Sequence, residues 1–130
     1  MLFRSDMVLA QDELIIGTDR GVLQLYNHKD REFTKNIKIP QIVDFMGDKM
    51  FAKIYSVDKI DSKYLILSNS GKDGYSNLFI HENNQTKQII NHKDKILALK
   101  ARFIDKTHIL LGLLGNEDRK STRLNSSHRL

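Results

Sequence analysis

The sequence predicts an all-β protein built from repeated antiparallel four-stranded units. Three observations carry this. Short apolar runs of about four to eight residues are separated by clusters of Asp, Gly, Asn and Lys. Several of those runs alternate apolar and polar residues, as a strand with one wet face requires. One kind of run also returns at a nearly constant interval along the chain.

Residues 14–17 form the first buried run, and Val22, Leu23, Gln24, Leu25 and Tyr26 form an alternating strand after it. Between them, Asp19, Arg20 and Gly21 predict a tight hairpin, because Asp can cap its own turn and Gly accepts positive φ. Residues 33–39 alternate again and stop at Pro40, the sole proline, which cannot donate to a ladder. The second unit repeats this order: a strand over residues 51–57, a buried run at 64–67, a Gly-rich turn at 68–74, and strands at 77–81 and 86–90. A third opens at residues 96–99 and continues through Phe103 to a run at 109–112. Residues 96–103 are the one stretch whose spacing also tolerates a helix, and they are read as strand.

The runs beginning at Ile15, Ile66 and Leu110 superimpose at intervals of 51 and 44 residues. The longer interval is assigned to a loop over residues 41–48, which lacks alternation. Four strands per unit at that period are the mark of propeller blades. Blade 1 is placed at about 7–40, blade 2 at about 50–91 and the start of blade 3 at about 95–115. About two and a half blades of an incomplete propeller are therefore expected, with an uncovered last sheet that favours aggregation when the chain is expressed alone.

Composition sets the outer limits. The chain has 130 residues, 40% hydrophobic and 28% charged, which suits one folded domain rather than a disordered chain. With no cysteine, disulfides, thiolate nucleophiles and Cys-based zinc sites are excluded. No apolar run approaches the length of a membrane-spanning helix, and the amino terminus has no secretory pattern. The compartment expected as written is the cytoplasm, or the periplasm if a signal precedes the chain.

The net charge of +5 suggests nucleic acid until its distribution is examined. Residues 118–130 hold four bases and one acid, leaving 17 bases against 15 acids, well mixed, in residues 1–117. Residues 118–130 resemble the read-through translation of a sequencing-library adapter. They are expected to be a non-native, disordered tail after a partial domain at 1–117. No nucleic-acid partner is expected.

Residues 16–27 resemble the second-to-third-strand segment of a WD40 repeat, in which a small residue, Asp and Gly precede an alternating strand ending in an aromatic. Residues 68–81 match more loosely, with Asp73 and Gly74 in the turn, and Asn91-His92 resembles the Gly-His pair that opens a repeat. The resemblance spans about residues 8–115, in a chain without tryptophan. It implies structural roles for Asp19, Gly21, Tyr26, Asp73, Gly74 and His92, with His92, Asp19 and Asp73 in blade-stiffening hydrogen-bond networks and Tyr26 in place of Trp.

Catalytic motifs are absent: there is no nucleophile elbow, no His-Glu-x-x-His, no phosphate-binding glycine loop. Asn27-His-Lys-Asp30 recurs as Asn91-His-Lys-Asp94, but out of phase within the units, so the two are read as turns rather than metal ligands. No cofactor and no metal are expected. Phe45 and Met46, an apolar pair in the irregular loop, are the candidate partner contact. The functional expectation is a non-enzymatic scaffold that binds another protein, with a weak resemblance to bacterial accessory factors of periplasmic nitrate reductase. The alternative is part of a propeller enzyme or sensor whose central site draws on further blades.

Overall fold

The computed structural model describes residues 4–44, 46–69, 75–113 and 125–129. Strands β1 (Arg4–Ala10), β2 (Glu13–Thr18), β3 (Val22–Asn27) and β4 (Glu32–Lys38) form sheet 1 in chain order, all antiparallel. A two-stranded ribbon, β5 (Ile42–Val43) and β6 (Lys49–Met50), follows. Sheet 2 comprises β7 (Lys53–Ile60), β8 (Lys63–Asn69), β9 (Ser76–Glu82) and β10 (Gln85–Ile90) in the same order. A 3-10 turn at His92–Asp94 leads to sheet 3, with β11 (Ala98–Asp105), β12 (His108–Leu113) and β13 (Asn125–Arg129). Residues 98–105 are thus strand, and the described residues form no closed propeller.

Turn chemistry fixes the hairpins. Asn83 and Asn84 both take positive φ, as the two-residue turn between β9 and β10 demands. In the β2–β3 turn the Thr18 hydroxyl accepts the N–H groups of Arg20 and Val22, and Gly21 lies at φ +71°.

The first hairpins define a common register. Ala10 pairs with Glu13, Ile60 with Lys63 and Asp105 with His108. Counting from these turns, Ile16, Ile66 and Leu111 are equivalent, and so are their cross-strand partners Met7, Val57 and Ala101, the last set back one residue by a second irregularity between Phe103 and Asp105. Each first strand carries its bulge at the same place, between Arg4 and Asp6, Ile54 and Ser56, and Ala98 and Lys100. The repeat therefore steps by 50 and 45 residues, not 51 and 44. Superposition of Ile15 on Ile66 is corrected by one residue. A slip of one exchanges the faces of a strand. Ile15 points from sheet 1 toward sheet 2, and Ile66 points back at it.

Sheet 2 lies between the other two and is buried on both faces. Ile66 and Phe79 join Ile15, Leu23, Leu25 and Ile37 of sheet 1 in one core. Leu65, Leu67 and Leu78 join Ala101, Ile109 and Leu111 of sheet 3 in the other. This double burial explains why β8 reads as a continuous apolar run rather than an alternating one. Burying each such Leu, Ile or Phe contributes about 1.5–3 kcal/mol. Gly17 is required at the first interface: a Cβ there would come within 2.5 Å of Ile54 Cγ2.

The first strands also tie one sheet to the next. Asp6 Oδ2 accepts the Val57 N–H at 3.0 Å, and at the equivalent place Ser56 Oγ accepts the Ala101 N–H at 3.2 Å. Asp58 Oδ2 adds the Phe103 N–H at 2.7 Å. Strand β7 packs against both β1 and β11, so the first strands make an inner spine from which the sheets open as a fan.

Within residues 118–130, only 125–129 are described, and they form β13, antiparallel to β12 in the register that β3 keeps with β2. Without a third strand, the outer edge of β12 would present unpaired N–H and C=O groups, and β13 pairs with that edge through its main chain although Asn125-Ser-Ser-His-Arg129 is a wholly polar sequence.

Candidate interaction surface

Alternation leaves a second face on sheet 1, turned away from sheet 2. It carries Met7 and Leu9 from β1, Leu14 and Ile16 from β2, Gln24 and Tyr26 from β3, and Phe33 from β4. Met7, Leu9 and Phe33 are 52%, 60% and 54% exposed. Phe33 packs edge-on against Tyr26 with ring centroids 5.0 Å apart. Ile16 is buried beneath its cross-strand neighbours Met7 and Gln24. The Gln24 Oε1 atom beside it is buried without a hydrogen-bond partner.

The positions of sheet 2 that correspond to these are Val57, Lys59, Tyr64, Ile66, Phe79, His81 and Thr86. Of these, Val57, Ile66 and Phe79 are at most 1% exposed, pressed onto sheet 1. Sheet 1 thus repeats, on its outer side, the geometry by which sheet 2 docks. A largely apolar, partly exposed face of this kind marks a place to be covered.

The seam between sheets 1 and 2 is polar at the end carrying the first hairpins. Glu13 Oε1 accepts the Lys59 ammonium at 2.9 Å and the Tyr64 hydroxyl at 2.7 Å, with Lys59 lying over the Tyr64 ring. Burial, and then the bond to Glu13 and its charge, push the Tyr64 hydroxyl well above the ordinary tyrosine range. His81 Nδ1 lies 2.8 Å from Thr86 Oγ1, and burial followed by the charge of Lys35 lowers its affinity for a proton. In sheet 3 the Asp105 carboxyl falls to about 2, chiefly through the Thr107 N–H and then His108. These groups bind one another and the main chain.

The residues singled out in the sequence are distributed as follows. Asp19 and Gly21 lie in the β2–β3 turn, Gly21 buried against Ala52 and Ile39. His92 is half-buried in the 3-10 turn, and Met46 is 71% exposed in the turn between β5 and β6. All four sit at the end of the sheets opposite the first hairpins, as the strand directions require. Tyr26 is at the other end, on the outer face of sheet 1. Phe45, Asp73 and Gly74 lie outside the described residues. The two Asn-His-Lys-Asp turns stand at opposite ends, each with the Asn side chain capping its own turn. Among the described residues no group of three or more His, Asp or Glu side chains could hold a metal ion. Sequence reasoning missed the outer face of sheet 1; its signal was the unbroken Met7-Val8-Leu9 run, apolar on both sides of a strand.

No family model matches the chain, and no curated protein matches it. Among solved structures, the computationally designed protein Ika8 is similar over 82% of this chain and 29% of its own, with a TM-score of 0.52 at 11% identity. The computationally designed protein Ika4 is similar over 95% of this chain and 64% of its own, with a TM-score of 0.51 at 11% identity. Both are β-propeller-like. The chain thus spans less than two thirds of either, and at this identity the likeness is one of fold: antiparallel four-stranded sheets stacked in series.

Proposed function

We propose that the chain is a propeller-type scaffold segment that works by binding protein rather than by catalysis. The observation that supports this is the outer face of sheet 1, where Met7, Ile16 and Gln24 hold the positions at which sheet 2 docks through Val57, Ile66 and Phe79. Its complement is a further antiparallel sheet presenting apolar residues in the pattern of Ile15, Leu23 and Leu25. The WD40-like roles of Asp19, Gly21, Tyr26 and His92, and the accessory-factor version of this function, rest on the sequence resemblance alone. A catalytic or sensing site on the inner spine finds no support in its polar residues, since Asp6, Ser56 and Asp58 each accept a main-chain N–H of the next sheet.

Light scattering tests the proposal. The unmodified chain is expected to self-associate and bind a hydrophobic dye. A Met7→Glu, Leu9→Glu double variant is expected to be monodisperse with an unchanged β-sheet circular dichroism spectrum. A strictly monomeric, dye-silent wild type, or a double variant that unfolds, would overturn it.

A further inference from the structure

At the end of sheet 1 opposite the first hairpins, a cleft of about 370 Å³ opens where β2 turns into β3 and β4 runs out toward β5. Val22 and Ile39 form its apolar part, the 53% exposed Phe51 ring stands beside them, and Arg20 and Lys38 supply two cations. No carboxylate is among the described residues that line it, Asp19 of the same turn included. Neither the Arg20 nor the Lys38 side chain has an ion pair or hydrogen bond among the described residues. The walls are fixed in advance: Thr18 Oγ1 holds the Arg20 and Val22 N–H groups, and Ile39 N–H donates to Gly21 O at 2.7 Å.

We propose that this cleft binds the carboxy-terminal residue of a peptide whose last side chain is apolar or aromatic. The volume suits one such side chain. Phe51, Val22 and Ile39 offer it apolar contact, and the planar Arg20 fork matches a carboxylate in bidentate fashion with Lys38 as a second charge. The open mouth leaves room for the preceding residues, which separates a chain terminus from an enclosed small molecule. This site is independent of the outer face of sheet 1 and stands or falls without it.

The test is an NMR titration of the full chain with Ala-Ala-Phe, its carboxamide and N-acetyl-phenylalanine. The free-acid tripeptide is expected to saturate and to shift the Gly21 and Val22 amides but not those of the Asp61-Ser62 hairpin. The carboxamide, and separately Arg20→Gln, should weaken binding about ten-fold, the loss of one charge-assisted contact of about 1.4 kcal/mol. Arg20→Lys should restore part of it, and Phe51→Ala should weaken all three ligands. Equal binding of acid and amide, or no saturation by the tripeptide, overturns the proposal. N-acetyl-phenylalanine binding as tightly as the tripeptide overturns the peptide assignment.

Discussion

Two faces of the molecule occupy the same place in the repeat and meet different fates. On sheet 2, Val57, Ile66 and Phe79 are sealed against sheet 1. On sheet 1, the matching Met7, Ile16 and Gln24 face outward, with Met7 more than half exposed. Local sequence makes both strands equally well. The difference arises from what lies ten ångströms away, the spacing at which a neighbouring sheet covers a face. A position in a repeat has no fixed worth; its contribution is set by whether the next unit is present.

Substitution at paired positions should break that comparison most sharply. Phe79→Ala is expected to cost about 3–5 kcal/mol, because it opens a cavity in a two-sided core. Met7→Ala, on the matching face, should fall within about 0.5 kcal/mol. Urea denaturation of both variants measures the gap, and equal losses would mean that sheet 1 is covered. A smaller effect of opposite sign is expected at Gln24, where the buried Oε1 has no partner. Gln24→Leu should stabilise by about 1 kcal/mol in the same assay, since it removes a desolvated acceptor and adds apolar contact beside Ile16.

The smallest expected effect is a pH dependence confined to the covered face. His81 has its folded-state pKa depressed by burial and by Lys35. The unfolded chain therefore takes up the proton first, near the ordinary histidine pKa of about 6.5. The stability this group contributes is complete above that value and is lost as pH falls toward its lower folded-state pKa. The melting temperature of the wild type, relative to His81→Gln, is expected to drop between pH 7.5 and 5.5; a flat difference would separate His81 from the effect.

Much of the fold was legible because each strand declares its own faces. Alternation in Val22-Leu-Gln-Leu-Tyr26 and the turns at Gly21 and Asn83-Asn84 depend on neighbours a few residues apart, so a single sequence suffices. The exact superposition was not legible. Continuous apolar runs such as Leu65-Ile-Leu67 have no wet side, so nothing local tells Ile66 from Leu65, and the one-residue offset from Ile15 followed. The ties through Asp6 and Ser56 reach 51 and 45 residues along the chain, where short-range pattern carries no information. The outer face of sheet 1 was hidden for the same reason: Met7 and Leu9 look like core until the fold shows that no described sheet packs against that side.

The ties between first strands give the assembly a direction. An acceptor on one sheet is matched to a main-chain donor on the following sheet, so a reversed or shuffled order of units would set donor against donor. Lys100 occupies the acceptor's place in sheet 3, opposite Gly112 as Asp6 is opposite Gly17, and an ammonium can only give a proton. Lys100 therefore does not carry the relay onward from sheet 3; its ammonium lies 3.9 Å from the Asp6 carboxylate, the acceptor at the opposite end of the spine.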